Sequence, residues 1–578
     1  MNDLREYPFW EVSLSDPFWD ELTKVNLDAL YYQWEQLEKT RCIDNFRIAA
    51  GTRQGFREGW FFSDSDAYKW LDAAARYHKI HPHKELLYLM DIFIQLIKKV
   101  QMDNGYLYTY NQIFFPNQKW MNLFIEHELY CLGHLIEAII SVYQTFQDRS
   151  VLYIATKAAD LIVQDFMDKD GTYVPGHQEI EIALLKLYET TQNENYLKMS
   201  EQFLTRRGDV KGIFFKYLNQ NKSVGKRSSY VKKMKEKFFA EHPEYEPFKL
   251  PAHVKPNNPA FIILRWMANT GSGKGHQQHD LLKNQLTPEG HSVRFTYTQA
   301  AIAHLHRHHT HPELFNASKQ CWEHMVDKRT YPTGGLGSLP LIEGWGRDYE
   351  LDGEFAYCET CAAIGSLLWN WQLTVITKEA KYADFFEWQL YNAVLTGLGV
   401  KGDTYLYRNP LISKGTIKRE NWYQVPCCPS NLSRTIAEMG GKIISSENDA
   451  IYLHQYIGSR VNTPKANIQI ESSFPWNGNI KISIDPKSSF NLNLRIPSWC
   501  TNPAVNLNNE PVDLPLKQKT MEPTASGYSP HESNYLTAEH EWKSGDRIDI
   551  NFPMEINVLR YHKKVKNYKN RGTLTRGP

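Results

Sequence analysis

Two cysteines stand side by side between prolines in Pro426-Cys427-Cys428-Pro429, and the run that follows, SNLSRTIAEMGGKI, has helical periodicity. Proline is tolerated in a first helical turn, so both thiols belong at or just before a helix N-terminus. There the helix dipole favours a thiolate and predicts a low thiol pKa. A vicinal pair can also serve as two small buried apolar residues, and on these residues alone both readings stand. A second cluster, Tyr357-Cys358-Glu359-Thr360-Cys361, opens another helical stretch. Zinc takes thiolate and carboxylate ligands in a tetrahedron, so Glu359, Cys361, Cys427 and Cys428 would make one closed shell of three sulfurs and one oxygen for a single Zn2+. Cys358 and Cys361 also form a CxxC pair, so a purely structural four-sulfur site without Glu359 is equally allowed by the spacing.

Histidines recur at or near candidate helix starts: His127 and His134 in HELYCLGH, His177 in GHQEIEIAL and His291 in GHSVRF. Singly, each reads as a satisfied structural histidine; together they suggest side chains pointing into a shared pocket of a helical ring. The run HLHRHHTHPELF at 304–315 reads instead as a solvated helix end. Glu343, in LIEGWGRDYE after the Gly-rich TGGLGS, lies beside Ile342 and Trp345. Apolar neighbours would raise its pKa and let it protonate a leaving oxygen, a role for which many other carboxylates compete.

The elements that must position these groups are mainly α-helical, with β structure at the C-terminal end. From about Trp70 to Leu395 apolar residues recur at helical spacing and the helices come in pairs, as in WLDAAARYHKIHPHKELLYLMDIFIQLI, LIEAIISVYQTFQDRSVLYIATKAADLIV, EIALLKLYETTQNENYLKMSEQFL and SLLWNWQLTVITKEAKYADFFEWQLYNAVL. This degenerate repeat suggests a closed (α/α)6 barrel whose loops converge on a central pocket; periodicity alone also allows a bundle or an open solenoid. Residues 206–290 interrupt the pattern and read as an insertion or lid, its basic run GKRSSYVKKMKEKFF as a solvated helix face. After Ile444 the period becomes alternating, in AIYLHQYIG, IKISIDP, FNLNLRIPSW and RIDINFPM, with Asn477-Gly478 and Gly545-Asp546 as hairpin turns. The expected division is a catalytic barrel over 1–442, a β-sandwich over 443–555, and the start of a further, truncated β segment over 556–578.

The 578 residues suit more than one domain, and 66 basic against 65 acidic side chains favour neither nucleic acid nor a membrane surface as partner. A small neutral substrate fits better. Aromatic residues make up 13%, enough for the flat faces that carbohydrate sites use. The N-terminus lacks a secretory apolar run, no stretch of about 18 apolar residues is present, and eight cysteines are too few for a disulfide scaffold. A soluble protein of the cytoplasm is expected.

In order along nearly the whole chain, FSDSD (62–66), DNGYLYTY (103–110), HELYCLGH, GHQEIEIALLKLYE, GHSVR, TGGLGS, the Glu-Thr-Cys cluster, YLYRNPL, CCPSNLSR, LRIPSWC and EWKSGDRI together resemble glycoside hydrolase family 127, the beta-L-arabinofuranosidase family. The resemblance implies an (α/α)6 barrel followed by β-sandwich domains, and one zinc ion on Glu359, Cys361, Cys427 and Cys428. It implies Cys427 as nucleophile, Glu343 as general acid/base, and His127, His177, His291 and Tyr407 as contacts to the sugar. The reaction implied is release of terminal beta-L-arabinofuranose with retention from a small glycoside or oligosaccharide, a thiolate replacing the usual carboxylate nucleophile. A homodimer is compatible with it. Three departures stand out: Cys358 in place of a small residue, expected to crowd the metal site; a longer insertion at 206–290, expected to reshape the entrance and leaving-group subsite; and an end at Pro578, where the family continues.

Overall fold

The structure, a computed structural model, describes residues 3–246, 248, 260–415, 417–514 and 523–578. Among these residues the helices are α1 (Pro17–Lys39), α2 (Cys42–Ala49), α3 (Asp64–Ile80), α4 (Lys84–Val100), α5 (Thr109–Phe114), α6 (Glu128–Phe146), α7 (Arg149–Phe166) and α8 (Ile180–Thr191). They continue with α9 (Glu194–Thr205), α10 (Ile213–Glu241), α11 (Ala260–Ser272), α12 (Ser292–His308), α13 (Pro312–Lys328), α14 (Thr360–Thr377), α15 (Ala380–Gln389) and α16 (Cys427–Ala437). The four pairs read from periodicity are α3/α4, α6/α7, α8/α9 and α14/α15. Asp16 starts α1 by accepting the Trp19 N–H at 2.8 Å, with Pro17 in the first turn; Asp148 and Asn193 cap α7 and α9 in the same way.

Helix α3 packs on α6, α6 on α8, α8 on α12, α12 on α14, α14 on α16, and α16 back on α3. The second set, α4, α7, α9, α13, α15 and α1, packs against α3, α6, α8, α12, α14 and α16 respectively. Burial separates the two sets except at α15, which is buried along nearly its whole length. Helix α6 is buried without interruption from Glu128 to Val142, whereas α4 buries one stripe that includes Leu86, Met90, Phe93, Ile94 and Ile97. Polar groups on the fully buried helices must therefore satisfy one another: Arg434 of α16 pairs with Glu137 of α6 at 2.6 Å and with Asp72 of α3 at 3.3 Å, and Lys186 of α8 also bonds to Glu137.

The insertion forms α10 and α11; its segment 250–259 lies outside the described residues. The basic run lies along the mostly exposed α10, except for Arg227, which is buried and pairs with Glu126 at 3.0 Å. The His-rich run spans the junction of α12 and α13 and is solvated on one side only. His304 and His306 are buried, His306 stacked on Phe315 at 4.1 Å, because a helix lying against the core hides its inward residues even at its end. His308 pairs with Glu189, and His309 and His311 with Glu201.

Two sheets make the C-terminal part. One has the strand order Arg5–Glu6, Ile444–Ser446, Ala450–Leu453, Asn491–Ile496, Asn534–Ala538. The other runs Glu510–Pro511, Ala504–Leu507, Asp546–Asn551, Asn479–Pro486, Ala466–Ser472, Ser459–Asn462, Val12–Leu14. The chain's first strands thus belong to the β sheets and not to the helical part, covering edges that would otherwise be unpaired. Strand alternation holds, with Ile480, Ile482 and Ile484 inward. The turn expectations need correction. Asn477-Gly478 ends a longer connection between Ala466–Ser472 and Asn479–Pro486, and Gly545-Asp546 leads into a strand that pairs with Asn479–Pro486 and Ala504–Leu507, not with its predecessor. A separate antiparallel pair, Ile556–Arg560 with Gly572–Arg576, gives the last strand its partner. Buried Arg495 ties sheet to helix through Asp384 at 2.8 Å and through Glu387, both on α15. Among the described residues no helix is long and apolar enough to cross a membrane.

Candidate active site

All six central helices send N-terminal residues to one end of the ring. Asp66 is the third residue of α3, His127 the N-cap of α6 and His291 the N-cap of α12; His177 lies just before α8. Glu359 occupies the N-cap position of α14 with Cys361 its second residue, and Cys427 and Cys428 begin α16, as the flanking prolines imply. A cavity of about 340 Å3 is lined by Asp66, His127, His177, His291, Glu343, Glu359, Cys361, Tyr407 and Cys427. Six positive helix ends around one cavity favour anionic groups there. Cys428 is fully buried behind the lining, and His134 is buried deeper along α6, its Nδ1 3.1 Å from Glu179.

The three sulfurs stand 3.3 Å (Cys361 to Cys428), 3.7 Å (Cys361 to Cys427) and 3.8 Å (Cys427 to Cys428) apart, with Glu359 Oε1 3.6 Å from the Cys427 sulfur. A tetrahedron with metal–sulfur bonds of about 2.3 Å has edges of about 3.8 Å, so this donor set fits a zinc-sized cation. Glu359 Oε2 is buried with no hydrogen-bond partner among the described residues, which suits a carboxylate oxygen that would face a cation. Cys358 takes no part. Its φ of +41° turns it away, its sulfur packs near Gly337 O, and its neighbours are Tyr331, Leu351 and Ala356. It neither crowds the cluster nor supplies a fourth sulfur.

Position at a helix start does not by itself lower all these thiols. Burial works against the Cys361 thiolate, but its sulfur–sulfur contacts with Cys427 and Cys428 outweigh that and bring Cys361 down to about 5. Cys427 is pushed up to about 12, chiefly by its bond to Cys361, and burial also pushes Cys428 well up. A cation among the sulfurs would favour the thiolate form of all three.

Glu343 stands on a backbone of φ +55°, its carbonyl accepting from Ser292 N–H and Oγ, both at 2.9 Å. That turn separates it from its apolar neighbours: Ile342 joins Ile262 and Leu339, and Trp345 packs on Phe295. The carboxyl faces the cavity, 42% exposed, with His291 Nε2 at 2.9 Å. Burial would raise it, but hydrogen bonds from His291 and Tyr357 and the charge of Arg294 hold it below the ordinary carboxylate range, opposite to the sequence expectation. His291 Nδ1 accepts the Val293 N–H at 3.2 Å, which leaves the ring proton on Nε2 to donate to Glu343. His127 and His177 are arranged the other way. Their Nδ1 atoms lie 2.7 Å from Ile125 O and 3.1 Å from Gln178 O, so Nε2 is an acceptor. Burial lowers both, His127 to about 3, and they stay neutral acceptors for hydroxyl groups.

Sequence reasoning missed Asp66, Tyr130, Arg294, Tyr297, Tyr357 and Tyr423. Asp66 lies in FSDSD and Arg294 in GHSVR, motifs recognised without a role for these residues. Burial pushes the Asp66 carboxyl up to about 8.

The Glu343 loop meets the start of α12 through a bridge between His291 and Gly344, where a Cβ on Gly344 would lie 1.8 Å from Gly290 O. Gly344→Ala must therefore separate Glu343 from His291. Misplacement on the scale of 1 Å costs about 10²-fold in turnover, and that loss is expected here with the overall fold kept. A folded G344A chain with undiminished turnover would show that the close approach is dispensable.

Comparison with known proteins gives the family. The profile described as "Beta-L-arabinofuranosidase, GH127 catalytic domain" matches residues 11–441, and that of the GH127 middle domain matches residues 450–554. The chain is 26% identical to the non-reducing end beta-L-arabinofuranosidase of Bifidobacterium longum subsp. longum, over 98% of this chain and 85% of that protein. It superposes on the crystal structure of a GH127 beta-L-arabinofuranosidase from Geobacillus stearothermophilus T6 with a TM-score of 0.83 at 33% identity, covering 98% of this chain and 85% of that one. A GH127 beta-arabinofuranosidase structure gives 0.82 at 27% identity, over 100% and 84% of the two chains. With both profiles spanning the helical and β parts, this chain belongs to glycoside hydrolase family 127, the family of the beta-L-arabinofuranosidases.

Proposed function

We propose that the protein releases terminal beta-L-arabinofuranose from the non-reducing end of beta-L-arabinofuranosides with retention, using Cys427 as nucleophile and Glu343 as general acid/base. The observation that carries this is a three-sulfur, one-oxygen cluster opening onto the same cavity as Glu343, with Cys427 the one part-exposed sulfur of the three. Glu359, Cys361, Cys427 and Cys428 would hold one Zn2+, which when bound supplies the positive charge that keeps the sulfurs as thiolates, at some cost in nucleophilicity. The Cys427 sulfur attacks the anomeric carbon while protonated Glu343 gives its proton to the leaving oxygen. The Glu343 carboxylate then takes a proton from water attacking the same carbon, and Cys427 leaves as thiolate. A bound glycoside covers the part-exposed Glu343, and this added desolvation favours the protonated form that the first step needs. His127 and His177 accept from sugar hydroxyls, and Tyr407 lines the same space.

The closed order of helix neighbours supports reading the helical part as an (α/α)6 toroid. A reducing compartment such as the cytoplasm suits eight cysteines of which none is in a disulfide among the described residues.

Proton NMR of 4-nitrophenyl beta-L-arabinofuranoside hydrolysis, with metal analysis of the same sample, tests this reading. The β-anomer should form first, with one zinc per chain. First appearance of the α-anomer, or full activity with far less than one zinc, would overturn the thiolate mechanism.

A further inference from the structure

The end of the ring away from the cavity carries a second set of metal-ligand side chains. His304 and His308 lie four residues apart on α12, so both rings leave one face of that helix, and Glu189 of the adjacent α8 reaches both of them. A single carboxylate oxygen, Glu189 Oε1, is 2.8 Å from His304 Nε2 and 2.9 Å from His308 Nε2. The three donor atoms lie within 4.8 Å of one another. At the rise of an α-helix, His308 stands about 25 Å along α12 from His291 at its other end.

Two imidazole nitrogens and one carboxylate oxygen converging in this way are the donors of a facial metal site, and histidines at i and i+4 are the helical spacing that supplies them. Around an ion with bonds of about 2.1 Å, donors at right angles stand about 3.0 Å apart, and both nitrogen–oxygen separations are within about 0.2 Å of that. The neighbouring histidines are arranged differently. His309 Nδ1 and His311 Nε2 contact different oxygens of Glu201, at 3.0 and 2.9 Å, and straddle the carboxylate. Exposure is graded across the first set: the His304 side chain is only 5% exposed and fixes one ligand, whereas His308 at 21% and Glu189 at 37% leave a way in for an ion and room for water on its remaining positions. Arg307, whose charge also reaches Glu189, is itself paired with Glu6.

We propose that Glu189, His304 and His308 bind one divalent transition-metal ion of the kind that imidazole favours, Zn2+ or Ni2+, and that the ion clamps α8 to α12. These two central helices hold His177 and His291 at their other ends, so the clamp steadies the part of the ring on which the cavity is built. The three donors share no residue with the thiolate cluster, and the clamp stands or falls apart from the catalytic reading.

Dialysis of the full, untagged chain against Ni2+ at near-neutral pH, with nickel counted apart from zinc by metal analysis, tests the site. The natural chain should hold one Ni2+ more than His308→Ala. Glu189→Gln keeps an oxygen to accept from both rings but loses the charge, and it should weaken that ion by about 100-fold or more, since even groups that only orient metal ligands are worth about 10- to 100-fold. His311→Ala, in the neighbouring pair, should leave the count unchanged. Far-UV circular dichroism of all three variants should match that of the natural chain. Ni2+ should raise the melting temperature of the natural chain and not that of His308→Ala, because an ion that binds only the folded form stabilises it. Equal nickel counts in the natural chain, His308→Ala and Glu189→Gln, or loss of the extra ion in His311→Ala, would overturn the site, and binding without a rise in melting temperature would overturn the clamp.

Discussion

Cys427→Ala is expected to lower hydrolysis of any beta-L-arabinofuranoside by at least about 10⁴-fold, because removal of a covalent nucleophile leaves only binding and acid assistance. The size of the effect separates chemistry from scaffolding. Cys427 is the first residue of α16 and part-exposed, so its truncation removes little packing, and Glu359, Cys361 and Cys428 remain as three of the four donors. The variant should therefore fold and keep part of its zinc. Metal analysis and thermal melting beside the assay establish this. An inactive, folded chain with bound metal identifies Cys427 as the attacking group. Turnover close to that of the natural chain would end the thiolate mechanism, and loss of activity together with all metal and fold would reduce Cys427 to a structural ligand.

Glu343→Gln should act more selectively. General acid catalysis contributes about 10²- to 10⁴-fold, and a loss in that range is expected in kcat/KM for methyl beta-L-arabinofuranoside, whose leaving group needs a proton. The nitrophenyl glycoside leaves without one, so its kcat/KM should fall far less, while kcat falls because water no longer meets a base in the second step. Added azide, which needs no base, should restore kcat and yield the β-azide. Glutamine retains an oxygen to accept from His291 Nε2, so the loop should hold its shape. Equal losses on the two substrates with no azide rescue would remove Glu343 from both proton transfers.

How much of this was legible in the residues differs from feature to feature. The prolines around Cys427 and Cys428 place them at a helix start, and they do begin α16; the repeat of apolar residues at helical spacing marks α3/α4, α6/α7, α8/α9 and α14/α15 as pairs. These are local facts, set by neighbours three or four residues away along the chain. The choice between Cys358 and Glu359 as fourth donor was not local. It turned on a φ of +41° at Cys358 that sends its sulfur into a separate small core. The same kind of turn at Glu343 removed the carboxyl from the apolar pair that flanks it in sequence and set it against His291.

The helix pairs, the strand alternation, the residue types of a thiolate and carboxylate cluster, and the family are all written in the order of residues along the chain. Which of these groups meet is set by packing between distant segments. Cys361 and Cys427 lie 66 residues apart, and their sulfurs come within 3.7 Å because α14 packs beside α16. The same packing brings the other central helix starts to one cavity and draws the chain's first strands into sheets formed by its last third. Such contacts join residues far apart in the chain, and their closure depends on the summed burial of many side chains and not on the character of any short segment.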